Sequence, residues 1–294
     1  MMSVISVKGL SKSFQKGLGS RKISVLKNIN FSVAKGKITG FLGANGSGKT
    51  TTMKCLLELI WPDQGECRFF GNQKLHSKLW SRIGFLPEHP YFYDFLTGEE
   101  FLFFYGRLSH YKYSKADLKS RINMLLKKMD LSKDRDKKLR QYSKGMLQKI
   151  GLLQAVIHEP DLLILDEPMS GLDFNGRSYV MEIIHQVAER GTSVFLSSHL
   201  LHDVEKLCSD LVVLKEGEVI FEGDMGEFMG TESDKMEIIY IDRNKTDQTR
   251  VAVNLEECQK ILDELRQQKL DVVSVERVSA NLEETFRKLA LKQR

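Results

Sequence analysis

From residue 231 to residue 294 the chain contains no glycine and no proline, although 22 glycines and 5 prolines precede them. Such a shift in turn-forming residues sets a boundary near Gly230. The length allows one large domain and a small appendage. Cysteine is sparse: Cys55, Cys67, Cys208 and Cys258 are scattered, with no CxxC pair. This excludes a disulfide framework and a thiolate zinc site. No apolar run approaches the roughly eighteen residues that a membrane span needs. The opening "MMSVISVKGL" lacks the charged-then-apolar layout of a signal peptide. Tandem repeats, low-complexity segments and sustained heptads are also missing. With 41% hydrophobic and 28% charged residues, a globular cytosolic protein is expected.

Glutamate is absent between Arg107 and Lys149, where 14 Lys or Arg face only 4 Asp. The whole chain carries +5, so its basic character is local. Nucleic acid, anionic lipid, an acidic protein, or simply the solvated face of amphipathic helices would each account for it. The tail from 231 has 12 basic and 13 acidic residues and gives no electrostatic direction.

Before Gly230, short β-rich runs alternate with helical patterns: "KITGFL", "CRFF", "RIGFL", "DLLILD", "TSVFLS" and "DLVVLK". Four of these six read as buried parallel strands, which places helices on both sheet faces. The first stretch, "SVISVKGLSKSF" to "VLKNINFSVAKG", alternates instead, as an antiparallel sheet on one edge does. From about Thr97 to Gln141 helical spacing dominates, marking an inserted helical subdomain. The tail reads as two strands ("MEIIYI", "RVAVN"), a helix ("LEECQKILDELRQQ"), a strand ("DVVSVERV") and a last helix, a small α+β module.

"GANGSGKT", Gly43 to Thr50, follows the strand "KITGFL", precedes the helical run "TMKCLLELI" and fits the phosphate-loop pattern G-x-x-x-x-G-K-[ST]. Gly43, Gly46 and Gly48 permit the backbone turns that aim N–H groups at phosphate oxygens. Lys49 is expected to bridge the β- and γ-phosphates and Thr50 to ligate Mg²⁺, with Asn45, Ser47 and Thr51 completing the cradle. "LLILDEP", Leu162 to Pro168, is a buried strand that ends in two carboxylates. Asp166 is placed to hold Mg²⁺ through water, and Glu167 to orient or deprotonate the attacking water; the plain alternative is that both acids cap the next helix. A second strand, "SVFLSSH", ends at His199, placed to contact the γ-phosphate and align Glu167 with water. In "YSKGMLQKIGLLQ", Ser143 stands where an N-cap would, before a helix whose free N–H groups favour an anion.

Together these motifs resemble the ATP-binding subunit of an ABC transporter, in order, over residues 4–230. "GANGSGKT" is similar to the Walker A loop, "LLILDE" to Walker B, "SGLD" (Ser170 to Asp173) to the D-loop and His199 to the switch histidine. Phe14 falls where the family places an aromatic that stacks on adenine. "YSKGM" sits at the signature, usually Leu-Ser-Gly-Gly-Gln; Ser143 and Gly145 match, whereas Tyr142, Lys144 and Met146 depart. The resemblance implies that this element grips the γ-phosphate of ATP held by a second subunit. Glu88, in "IGFLPEHPYF", replaces the family's Q-loop glutamine and would bring a charged oxygen to Mg²⁺ or the water. The "LPE" loop, the "YSKGM" signature and "LEETF" near Leu282 resemble the ABC-2 exporter branch.

The resemblance implies an α/β fold: a P-loop NTPase core with a mainly parallel sheet, an antiparallel β edge and an inserted helical subdomain. The expected domains are an ATPase domain at 1–230, its helical subdomain at about 97–158, and an α+β module at 231–294. The expected cofactors are ATP and Mg²⁺. The expected partners are a separate transmembrane permease and a second ATPase domain, at the cytoplasmic face of the cell membrane. The aromatics Tyr91, Phe92, Tyr93 and Phe95 and the run "FLFFYGRL" are expected to divide between core and a groove for the permease. One alternative is a non-transport ABC ATPase acting on nucleic acid or the ribosome. A single phosphate loop and the lack of heptads argue against it, so nucleic acid is not expected as a partner. A P-loop kinase is the other, disfavoured because the Asp-Glu pair with His199 suits attack by water.

Overall fold

The computed structural model describes residues 2–15, 22–71, 73–108, 114–229, 236–242, 246–252, 254–277 and 282–291. Gly230 and residues 109–113 of the basic stretch lie outside them. The chain divides into two compact units, 1–224 and 225–294.

The first unit opens with an antiparallel pair, β1 (Ser3–Gln15) and β2 (Lys22–Ala34), in which Val7 lies opposite Phe31 and Phe14 opposite Ile23. In β2 the buried Leu26, Ile29, Phe31 and Val33 give the pair one apolar face. The chain then runs through β3 (Ile38–Leu42), α1 (Lys49–Leu56), β4 (Gln64–Phe69), α2 (Ser77–Trp80) and β5 (Ile83–Leu86). Three longer helices follow, α3 (Gly98–Leu108), α4 (Lys115–Lys128) and α5 (Lys144–Val156). The α/β pattern resumes with β6 (Leu162–Asp166), α6 (Phe174–Glu189), β7 (Ser193–Ser198), α7 (Leu201–Leu207), β8 (Asp210–Lys215) and β9 (Glu218–Asp224).

The central sheet has the order β5-β6-β7-β3-β8-β9 and is parallel except for the β8–β9 pair. Its parallel strands are therefore five, one more than the four expected. "CRFF" is not among them: as β4 it pairs antiparallel with β1, completing a separate sheet of order β2-β1-β4. In β4 only Phe69 is buried, whereas β3, β6 and β7 are buried along their whole length. Helix α1 also stops at Leu56, short of the expected run to Ile60, because Glu58 takes a left-handed φ of 53°. That turn brings the N–H groups of Leu59 and Ile60 back to the Lys54 carbonyl.

The two sheets share one core. Phe31 of β2, Phe41 of β3 and Phe195 of β7 stack with ring centroids 5.1–5.7 Å apart, beside Met53 and Leu56 of α1. Truncating one such buried ring to alanine costs about 3–5 kcal/mol. Gly84 of β5 sets the height of α5: a Cβ there would sit 2.1 Å from the Ala155 carbonyl oxygen. The four cysteines are free, and burial pushes the Cys55 thiol up to about 11 and Cys67 to about 12.

The second unit comprises α8 (Met225–Met229), β10 (Met236–Ile241), β11 (Asp247–Ala252), α9 (Leu255–Gln267), β12 (Asp271–Arg277) and α10 (Leu282–Leu291). Its sheet is antiparallel, in the order β11-β10-β12, over a small core of Ile238, Ala252, Cys258 and Leu265. Asn254 caps α9 by accepting from the Glu257 N–H. With no glycine to follow it, α9 closes at Lys269, whose φ is 54°.

Candidate active site

Strands β6, β7 and β3 are neighbours, so their C-terminal ends bring three loops together, the usual position of a site in such a sheet. After β3 the chain turns through Gly46 (φ 82°) and Gly48 (φ 113°) into α1. Gly48 is the N-cap of α1 and supplies no side chain, so nothing of its own competes for the first-turn amides. A Cβ at Gly48 would lie 2.6 Å from Leu26 Cδ2, so the close approach and the positive φ both favour glycine. A cleft of about 420 Å³ opens here, lined by Asn45, Gly46, Gly48, Lys49, Thr50, Thr51, Glu88 and Glu167, with Val25 beside them.

Lys49 Nζ donates to the Gly43 carbonyl (2.7 Å) and lies 3.9 Å from Glu167 Oε1. Burial pushes its pKa down, while the charges of Glu167, Asp166 and Glu88 push it up; the net direction is down. A desolvated ammonium in this state gains from a phosphate oxygen, which supplies both charge and acceptors. Ser47 serves the loop's own backbone: its N–H donates to Ala44 and its carbonyl accepts from Gly217.

Glu167 is held at every point. Its backbone is left-handed (φ 50°), a conformation that costs a non-glycine residue about 1–3 kcal/mol. Its N–H donates to Ser197 Oγ (2.9 Å), and Ser197 Oγ in turn donates to Asp166 Oδ1 (2.6 Å). Gln148 Nε2 donates to the carbonyls of Glu167 (3.2 Å) and Pro168 (3.1 Å). His199 Nδ1 lies 2.7 Å from Glu167 Oε2. Neither acid caps α6. That role belongs to Asp173, whose Oδ1 accepts from the Gly176 N–H at 2.8 Å.

A second helix start lies apart from the cleft lining. Ser143 caps α5, its Oγ accepting from the Met146 N–H (3.2 Å). The Lys144 stem passes so close to Gly171 that a Cβ there would meet it at 2.9 Å, and Gly145 faces Leu172 and Gly171. The segments "YSKGM" and "SGLD" thus pack together within one chain. Phe14 stands at the end of β1, 42% exposed, with Lys12 Nζ 5.5 Å from its ring centroid.

A family model for the ABC transporter matches residues 26–170. The bacitracin transport ATP-binding protein BcrA of Enterococcus faecalis is 38% identical to this chain, over 77% of this chain and 71% of that protein. The chain belongs to the ABC transporter ATP-binding protein family. An uncharacterised ABC transporter ATP-binding protein of Synechocystis sp. is 40% identical over 78% of this chain and 65% of its own length. A solved ATP-binding subunit of an ABC transporter is similar with a TM-score of 0.66 and 29% identity, covering 77% of this chain and 92% of that one. This ABC ATPase binds ATP and hydrolyses it to ADP and phosphate. The relatives named here are transporter ATP-binding proteins.

Two polar residues that hold Glu167 were not singled out from the sequence of this ABC ATPase. Ser197 had a signal, because a buried strand that ends "SSH" has no structural need for hydroxyls. Gln148 had only one: a lone amide on the apolar face of α5. The aromatics divide. Phe92 and Phe101 are core, with centroids 5.4 Å apart, whereas Tyr91 and Phe95 are well exposed. Tyr91 and Tyr105 line a groove of about 510 Å³ with Trp80, Phe85, Pro90 and Leu108. Among the described residues no Asp, Glu, Lys or Arg lines it, and burial pushes the pKa of His158, also in its wall, down.

Proposed function

We propose that this ABC ATPase powers a separate transmembrane permease of the ABC-2 exporter kind, closing as a dimer of ATPase domains around two ATP molecules. The observation that carries the reading is the convergence on one cleft of the phosphate loop and of Glu167, fixed by Ser197 and His199. The first-turn amides of α1, with Asn45 to Thr51, surround the phosphates, and Lys49 leaves the Gly43 carbonyl to bridge the β- and γ-groups. Phe14, exposed at the end of β1, stacks on adenine.

Among the described residues no group of three His, Cys, Asp or Glu forms a metal site by itself. Hard oxygen donors are nonetheless at hand: Thr50 and Glu88 line the cleft, and Asp166 is oriented by Ser197 behind it. Mg²⁺, arriving with the nucleotide, would be held by Thr50 and Glu88 directly and by Asp166 through water. When bound it would neutralise phosphate charge. Glu167 orients a water for attack and takes its proton, with His199 keeping the carboxylate turned to the cleft.

The start of α5 contains no acid, and an anion is the ligand it suits. Ser143 and Gly145, with Asp173 next in the chain to the Leu172 that Gly145 faces, complete the ATP site of the opposing subunit. The permease docks at the uncharged aromatic groove, so the ATPase works at the inner face of the cell membrane. Among the described residues no helix is long and apolar enough to cross a membrane itself. The transport role is supported by the relative whose name carries bacitracin transport.

The test is to co-express the chain with its candidate permease and to measure phosphate release in vesicles. Stimulation by the permease that is lost on Tyr91→Ala supports the reading; a permease-independent rate, unchanged by Tyr91→Ala, contradicts it.

A further inference from the structure

Glu167 needs help to stay where it is. A left-handed non-glycine backbone relaxes toward negative φ unless neighbours hold both of its peptide groups. Ser197 holds the group before Glu167 through its N–H, and Ser197 belongs to β7, in the rigid centre of the sheet. The groups after Glu167 are held differently. The Glu167 carbonyl accepts from the Ser170 N–H (3.1 Å) within its own turn. The only side chain that the described hydrogen bonds place on either carbonyl, Glu167 or Pro168, is Gln148. Gln148 is 4% exposed, so its amide works where a lost hydrogen bond leaves two buried carbonyls underserved.

The position of Gln148 gives this contact a meaning beyond stability. It lies on α5, five residues after Ser143, the cap that opens the same helix. A five-residue step is about 7.5 Å along a helix axis, short enough for the segment to move as one body. Helix α5 opens in the helical subdomain and packs its later turns on β5, whereas Glu167 follows β6 of the central sheet. Gln148 is thus a direct side-chain tie between the helix that opens with "YSKGM" and the backbone of the cleft carboxylate.

We infer that Gln148 is a positioning residue for hydrolysis: its amide fixes the strained turn at Glu167 and makes the placement of that carboxylate depend on the placement of α5. An anion gripped at the start of α5 then acts on this subunit's own cleft. When α5 is drawn to a second ATP, Gln148 carries the shift to the Glu167 and Pro168 carbonyls. Each subunit's hydrolytic carboxylate is set by the nucleotide its signature helix holds for the other. No proton moves through Gln148, and it lies outside the cleft lining. The inference rests on the proposed role of Glu167.

The test uses the full chain with MgATP and compares wild type, Glu167→Gln, Gln148→Met and Gln148→Asn. Methionine keeps the length of the side chain and removes the donor; asparagine keeps the donor and shortens the reach. For each, kcat, KM, ATP affinity and Tm are measured. The expected result is a fall in kcat of roughly 10- to 100-fold for Gln148→Met, as expected for a misplacement of about 1 Å. ATP affinity should stay within about twofold, since Gln148 is outside the cleft lining. Gln148→Asn should fall between wild type and Gln148→Met. A lower Tm with unchanged kcat would make Gln148 a packing residue and overturn the inference. So would a loss explained wholly by KM. If Gln148→Met does not fold, Gln148→Asn decides, and a wild-type kcat there overturns the inference. Full hydrolysis by Glu167→Gln would remove the proposed role of that carboxylate first, which separates the two failures.

Discussion

The molecule has two helix starts built for anions, and they differ in company. The first, at Lys49, is surrounded by chemistry: a buried ammonium, the hydroxyls of Thr50 and Thr51, and the carboxylates of Glu88 and Glu167 in one cleft. The second, at Lys144, has a serine cap and a glycine but no acid and no place in that cleft. A phosphate at the first can be bound and hydrolysed. A phosphate at the second can only be held. On the proposed reading, the second start takes a nucleotide brought by another copy of the cleft.

The comparison can be broken most severely at Glu167. Glu167→Gln should lower turnover by roughly 100- to 10,000-fold while ATP binding persists, measured by phosphate release beside nucleotide binding. Lys49→Ala comes next. A charge-assisted contact of about 1.5–3 kcal/mol corresponds to roughly 10- to 100-fold in affinity. The variant should lose most of the rise in Tm that saturating ATP gives the wild type. Ser143→Ala sharpens the contrast from the other side: ATP affinity should stay within about twofold, while the cap loss costs about 1 kcal/mol and ATP-driven association weakens. Asp173→Ala should show the smallest effect, about 1 kcal/mol of stability, or a Tm lower by about 2–4 °C in calorimetry.

What was legible in the sequence follows from how local each device is. The phosphate loop and "LLILDE" are continuous segments whose residue types the chemistry dictates, and the structure brings Lys49, Thr50, Glu88 and Glu167 into one cleft. Glycine spacing announced the turns at Gly46 and Gly48. The left-handed turns at Glu58 and Glu167 were not legible, because non-glycine residues adopt them under tertiary restraint. Ser197 and Gln148 escaped for a related reason. Their bonds to the carboxylate segment span 19 to 31 residues, and a serine or glutamine says little about its partner. Strand "CRFF" was visible as a strand, but its sheet was not, since its pairing partner β1 lies far earlier in the chain, Ile5 opposite Phe69.

The most direct measurement is the mass in solution of the Glu167→Gln protein, with and without MgATP. Doubling of the mass with MgATP, weakened when Ser143→Ala is added and lost when Lys49→Ala is added, is the result the account predicts. A protein that binds ATP and stays monomeric would contradict the claim that the start of α5 serves the nucleotide of a second copy.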